Sequence, residues 1–202
     1  FMIVPALVDW FYGSQNWPAF VGSSMATLFV GSMLFLTNKG SATEHLELRQ
    51  AFLLTNSAWI SIALFGSLPF LLSDIDMSFI DAFFESTSGI TTTGATVIEN
   101  LEAKSHGILI WRALLQWLGG VGIIVMALAV LPMLSIGGMQ LFKTESYETP
   151  DKVVPKAASF AAGISIVYIT LTVIWAFMLW GAGMPTFDSI AHAVTTLATG
   201  GY

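Results

Sequence analysis

Two polar turns are the parts of this chain best suited to chemistry. The first is Ser86-Thr87-Ser88-Gly89-Ile90-Thr91-Thr92-Thr93-Gly94-Ala95-Thr96, set between two long apolar stretches. A weaker copy, Val194-Thr195-Thr196-Leu197-Ala198-Thr199-Gly200-Gly201-Tyr202, follows another apolar stretch. Glycine reaches positive φ without steric cost, so a turn such as Thr92-Thr93-Gly94-Ala95 can aim successive carbonyl oxygens to one side. Rings of such carbonyls replace the hydration shell of a cation in selectivity filters. An ordinary loop braced by hydroxyl-to-backbone hydrogen bonds would use the same residues. Two copies, each behind a half-length apolar segment, favour the filter.

Other candidates point to structure. Asp81 and Glu85 stand four apart on a short helix, and an intramembrane carboxylate is a functional candidate by default. A place at the wet outer end, paired with Lys104 or Arg112, is the expectation here. His45, His106 and His192 are scattered without ligand spacing. Gly119, Gly120 and Gly122 let a membrane helix pack closely against a neighbour, and Gly137-Gly138 marks a helix end. There is no nucleophile–base grouping, phosphate-binding glycine loop or basic nucleic-acid patch. The chain has no cysteine, so disulfides and thiolate metal sites are excluded.

The elements that must position the turns are membrane helices. Of 202 residues, 55% are hydrophobic and 10% charged, against about 25% charged in soluble domains. Four stretches, about 17–37, 51–72, 107–134 and 157–180, reach the roughly 20 residues that cross a bilayer. Pro132 should bend or end the third. A partial helix over 1–12 precedes them. Trp10, Tyr12, Trp17, Trp111 and Trp180 sit near span ends, as in aromatic belts. Two shorter half-apolar segments, 78–90 and 187–197, lead into the turns and read as re-entrant helices. If the first complete span runs inward, Lys39, Arg49, Lys143, Lys152 and Lys156 face the cytoplasm, as the positive-inside rule asks. Asp9, Asp74, Asp76, Asp81, Glu85, Glu99, Glu102 and Asp188 then lie in the outer half, with only Lys104 and Arg112 opposing them. The whole net charge of −6 faces the outer mouth, a field that concentrates cations. Tolerance of acids outside explains the same pattern.

The unit recurs. Phe-Ile-Asp-Ala-Phe-Phe-Glu from position 79 aligns with Thr-Phe-Asp-Ser-Ile-Ala-His from 186, so Asp81 matches Asp188 about 107 residues later. One extra residue in the first copy brings Thr93-Gly94 onto Thr199-Gly200. The expected fold is an all-α membrane protein of span–re-entrant pore helix–span repeats, truncated after the second pore loop. Residues 1–40 are a leading helix pair, 41–136 the first repeat, 137–156 a cytoplasmic linker and 157–202 an incomplete second repeat.

These residues match a known family. Phe83-Phe84-Glu85-Ser86 with Thr91-Thr92-Thr93-Gly94-Ala95-Thr96 resembles the first pore loop of Trk-type potassium transporters, in the TrkH branch of the Trk/Ktr/HKT family. The run from Trp111 through Gln116-Trp117-Leu118-Gly119-Gly120 to Ile123 is similar to the helix that follows that loop. His192-Ala193 and Thr195 to Tyr202 resemble the second loop. The resemblance implies potassium uptake across the prokaryotic inner membrane, through four non-identical repeats in one chain. It implies Thr92, Thr93, Gly94 and Ala95 as one quarter of the filter and Ala198, Thr199, Gly200 and Gly201 as the next. The carbonyls of Thr92, Thr93, Ala198 and Thr199 would meet K+. It also implies a homodimer, a cytosolic nucleotide-binding (TrkA-like) regulatory subunit and no organic cofactor. Channel and symport, and K+ and Na+ preference, stay open. A reading of another class is a non-conducting membrane anchor or sensor, which would have no need of re-entrant loops.

Overall fold

Apolar runs too long for a soluble core become helices, because a helix satisfies every backbone hydrogen bond within its own segment. A computed structural model describes residues 1–39, 48–134 and 153–201, and among them it has eight α-helices and no strand. They are α1 (Ile3–Phe11), α2 (Trp17–Thr37), α3 (Leu48–Gly66), α4 (Leu68–Leu72), α5 (Phe79–Ile90), α6 (His106–Leu134), α7 (Val153–Gly181) and α8 (Thr186–Leu197). A 3-10 turn, Leu101–Ala103, precedes α6. Four windows can cross a bilayer: Trp17–Thr37, Phe52–Leu72, His106–Ile124 and Ala162–Gly181. The 12-residue helices α5 and α8 are too short to cross, and each stops at a polar turn.

The stretch expected as one span over 51–72 is two helices. Pro69 has no N–H to donate and its ring crowds the preceding turn. The break falls at Ser67, whose hydroxyl donates to the Leu64 carbonyl at 2.7 Å. The Gly66 carbonyl accepts from Trp111 Nε1 at 3.0 Å. Trp111 is therefore a core residue, 3% exposed, and not part of an aromatic belt. Trp10, Tyr12, Trp17 and Trp180 are exposed. Pro132 does not end α6, which continues to Leu134. Gly137, Gly138, His45 and most of the 137–156 linker lie outside the described residues.

Polar contacts gather the helix ends. Asn16, before α2, donates to Asp74 at 2.5 Å, and its side-chain oxygen accepts from the Asp74 N–H at 3.2 Å. The buried Asp9 carboxylate of α1 accepts from the Gly107 N–H at 2.6 Å and the Ser105 hydroxyl at 3.2 Å, capping α6. His106 stacks on Tyr12, with centroids 3.9 Å apart, and meets Phe187 edge-on at 4.5 Å. One end of the bundle thus joins α1, α2, α4, α6 and α8. His106 is an aromatic packing residue, and His192 is exposed.

Helix α6 is the central strut. Half of its spanning window is buried, against 6% for that of α7. One face sends Ile108, Trp111 and Leu115 into a core with Phe20, Phe70 and Ala82. Another sends Ile110 and Ala113 against Val194 of α8. Both short helices, α5 and α8, therefore lean on the same apolar rod, and their C-terminal ends are brought together.

Candidate ion-coordinating site

Ser78 starts α5. Its hydroxyl accepts from the Asp81 N–H at 3.2 Å and donates to the Asp81 carboxylate at 2.6 Å. Asp81 is thus a cap residue and was wrongly expected to pair with a base. The two short helices stop in the same way. At the end of α5 the Thr92 N–H donates to the Gly89 carbonyl at 3.0 Å and the Thr93 N–H to Ser88 at 2.9 Å. At the end of α8 the Thr199 N–H donates to Thr196 at 3.0 Å and the Gly200 N–H to Thr195 at 3.1 Å. This is the Schellman pattern, whose turning residue is usually glycine. Here threonines take it, with φ of 56° at Thr92 and 57° at Thr199. A β-branched residue at positive φ is a steric outlier, and such strain persists where the surrounding structure enforces it. Two residues on, Gly94 and Gly201 also have positive φ, 77° and 68°.

These angles correct the repeat register. Phe79 and Thr186 start the two helices, Ile90 and Leu197 end them, and the positive angles recur at the same offset as Asp81 and Asp188. No residue is inserted. Thr92 corresponds to Thr199, Thr93 to Gly200 and Gly94 to Gly201, while Ala198 corresponds to Thr91. The Thr-Gly pair is an unreliable anchor for alignment, because the backbone conformation and not the letters is what repeats.

The turns touch. A Cβ built on Gly94 would collide with the Gly200 carbonyl oxygen and lie 3.3 Å from its carbon. Among the described residues, no hydrogen bond is donated to the carbonyls of Thr92, Thr93, Gly94, Thr199, Gly200 or Gly201. Their neighbouring N–H groups at 92, 93, 199 and 200 are spent on the helix ends. The Ala95 carbonyl is different: it is tied back to α5, accepting from the Ser88 hydroxyl at 2.6 Å. No cluster of three His, Asp or Glu side chains suited to a metal ion occurs among the described residues. Backbone oxygens are what this site offers a cation, and the negative ends of two helix dipoles lie behind them.

The glycines of α6 allow this approach. A Cβ on Gly119 would strike the Ile90 carbonyl, and one on Gly120 would meet the Tyr168 hydroxyl at 2.5 Å and Ala198 Cα at 3.3 Å. So α6 touches the ends of both short helices through adjacent glycines. Gly122 has only ordinary contact with Trp59, at 3.6 Å.

Glu85 meets Arg112, one of the two bases expected as its partner, but it is fully buried and not at the wet rim. Its carboxylate accepts from Arg112 Nε at 2.5 Å, from the Thr96 hydroxyl at 3.0 and 3.1 Å and from the Val97 N–H at 3.0 Å. Arg112 is 4% exposed. The side chain that sequence reasoning missed is Gln116. It is fully buried, its amide lies against Gly200, and neither of its polar atoms has a hydrogen-bond partner among the described residues. The available signal was its spacing: Gln116 stands one helical turn beyond Arg112, on the same face.

Comparison with known proteins agrees with this geometry. The family described as "TrkH: Cation transport protein" matches residues 17–202. The Trk system potassium uptake protein TrkH of Salmonella typhimurium is 42% identical over 204 residues, covering 100% of this chain and 42% of its own length. TrkI of Halomonas elongata is 40% identical over 202 residues, with 100% and 41% covered. The crystal structure of the potassium transporter TrkH from Vibrio parahaemolyticus superposes with a TM-score of 0.82 at 39% identity, covering 96% of this chain and 38% of that one. The chain thus spans about 42% of the length of the Salmonella relative.

Proposed function

Since the chain belongs to the TrkH family of cation transport proteins, transporters and not enzymes, we propose that it forms part of the potassium-translocating subunit of a Trk-type uptake system. The single observation that carries this reading is the pair of matched turns, each with two positive φ angles and each behind a short helix, meeting at Gly94 and Gly200. In this reading the carbonyls of Thr92, Thr93 and Gly94 form one quarter of a selectivity filter, with Ala95 closing the quarter against Ser88. Thr199, Gly200 and Gly201 form the adjacent quarter, and Ala198 leads into it. K+ passes between them, and no organic cofactor takes part. Two quarters do not close a ring, so further pore turns complete it. Residues 1–40 then lead the pore, 41–136 form its first repeat, 137–156 link, and 157–202 begin its second.

Of the acids assigned to the outer half, Asp9 and Glu85 are buried; Asp74, Asp76, Asp81, Glu99, Glu102 and Asp188 remain accessible and concentrate cations at the mouth. The protein works in the prokaryotic inner membrane as a homodimer, with a cytosolic nucleotide-binding subunit that gates it. These assignments rest on the family resemblance. Growth of potassium-uptake-deficient bacteria on low potassium, with and without the complete gene product, tests the proposal. Rescue accompanied by K+ flux in proteoliposomes supports it. Good expression with neither rescue nor flux favours an anchor or sensor role.

A further inference from the structure

We propose that the buried Glu85–Arg112 pair is a positioning device for the first filter turn, acting through Thr96; this rests on the filter reading given above. A buried ion pair within an apolar span contributes little to stability that well-packed hydrophobic residues could not also provide. Its contacts suggest what it does. One carboxylate joins three elements: α5, which carries it; α6, which supplies Arg112 Nε at 2.5 Å; and the irregular segment leaving the turn. That segment lacks regular hydrogen bonding from residue 93 to 98, so its path is set by side chains. Ser88 holds the Ala95 carbonyl at 2.6 Å. Glu85 holds the Thr96 hydroxyl and the Val97 N–H, both at 3.0 Å. The Thr96 hydroxyl oxygen in turn accepts from the Ile98 N–H at 3.1 Å. Gly94, at the contact with the second turn, lies two residues before the first of Glu85's partners. A shift of the carboxylate is therefore passed to the filter wall.

The device belongs to the first repeat of the two. The position equivalent to Glu85 is His192, which is exposed. The second turn has instead the buried Gln116 amide against Gly200. Arg112 and Gln116 are one turn apart on α6, so a single helix braces both turns by different chemistry: an ion pair relayed through a carboxylate, and an amide in direct contact. The two quarters of the ring are not held equivalently.

The test uses the complete gene product in proteoliposomes, with K+/Na+ flux ratio, abundance and melting midpoint as readouts. Thr96→Val removes the hydroxyl and leaves the ion pair; it should lower the flux ratio by about tenfold, the worth of one hydrogen bond to a charged group, with abundance maintained. Thr96→Ser, which restores the hydroxyl, should return the ratio. Arg112→Lys keeps the charge but loses the Nε contact, and should lower the ratio in the same direction. A fall in melting midpoint with an unchanged ratio in Thr96→Val and Arg112→Lys would make the pair purely structural and overturn the proposal. A change in Thr96→Val without one in Arg112→Lys would confine the effect to the turn, and also overturns it. Gly94→Ala separates the two levels of argument. If it lowers the ratio while the Thr96 and Arg112 variants do not, the filter stands and the positioning role falls. If none of the three changes the ratio, the filter reading falls as well.

Discussion

Replacing Gly94 by alanine adds one methyl group where the structure has least room for it. Two effects combine. The residue has φ of 77°, and an L-residue held in the left-handed region costs roughly 1–2 kcal/mol. The new Cβ also meets the Gly200 carbonyl oxygen, which is backbone and cannot rotate away. One wall must shift by on the order of 1 Å, because close-packed interiors have no spare space. On the proposed filter reading, the carbonyls of two adjacent quarters then lose registration with the ion. If about 1.4 kcal/mol of K+-over-Na+ preference is lost, selectivity falls about tenfold. The matched variant is Gly201→Ala. Its φ is 68°, yet a Cβ there meets nothing within 4 Å among the described residues. It carries the conformational cost without the collision, so its effect should be smaller. The assay is K+ and Na+ flux in proteoliposomes bearing the complete gene product, normalised to reconstituted protein. Equal flux ratios for wild type and Gly94→Ala at equal abundance would refute the reasoning. A larger effect for Gly201→Ala would refute the steric half of it.

Gly119→Ala should lower the melting midpoint, since its Cβ strikes the Ile90 carbonyl and overpacking costs about 1–3 kcal/mol. Gly122→Ala has ordinary contacts and gains up to about 1 kcal/mol of helix propensity, so its midpoint should match or exceed wild type. Thr199→Gly should hold or raise the midpoint. It relieves a left-handed threonine worth roughly 1–2 kcal/mol and gives back about 0.5–1 kcal/mol in unfolded-chain entropy; a clear fall would mean that the threonine makes a stabilising contact. Residues 1–202 expressed alone should not rescue growth on low potassium, because on the proposed filter reading two turns leave carbonyls unpaired towards lipid at several kcal/mol each. Rescue would show that half-chains assemble a pore.

Much of the architecture was legible because hydropathy and segment length are one-dimensional quantities. An apolar run of spanning length has to be a helix in lipid, and a run half that length ending in threonines and glycines cannot cross. The short helices expected over 78–90 and 187–197 were found at Phe79–Ile90 and Thr186–Leu197. The family was legible in the pore-loop residues themselves. What tertiary structure decided were matters of contact and backbone sign. Whether a threonine takes positive φ depends on how the helix end closes, so letter matching shifted the second turn by one residue. Glu85 pairs with Arg112, one of its two expected partners, but that the pair is buried and not at the rim only the fold decides. Trp111 looks like a belt residue until the break at Ser67 gives it a carbonyl. Gly119 and Gly120 could pack against any neighbour, and only the fold places them on the ends of both short helices. Composition sets which segments leave water; the partners they meet come from distant chain positions, where no local pattern records them.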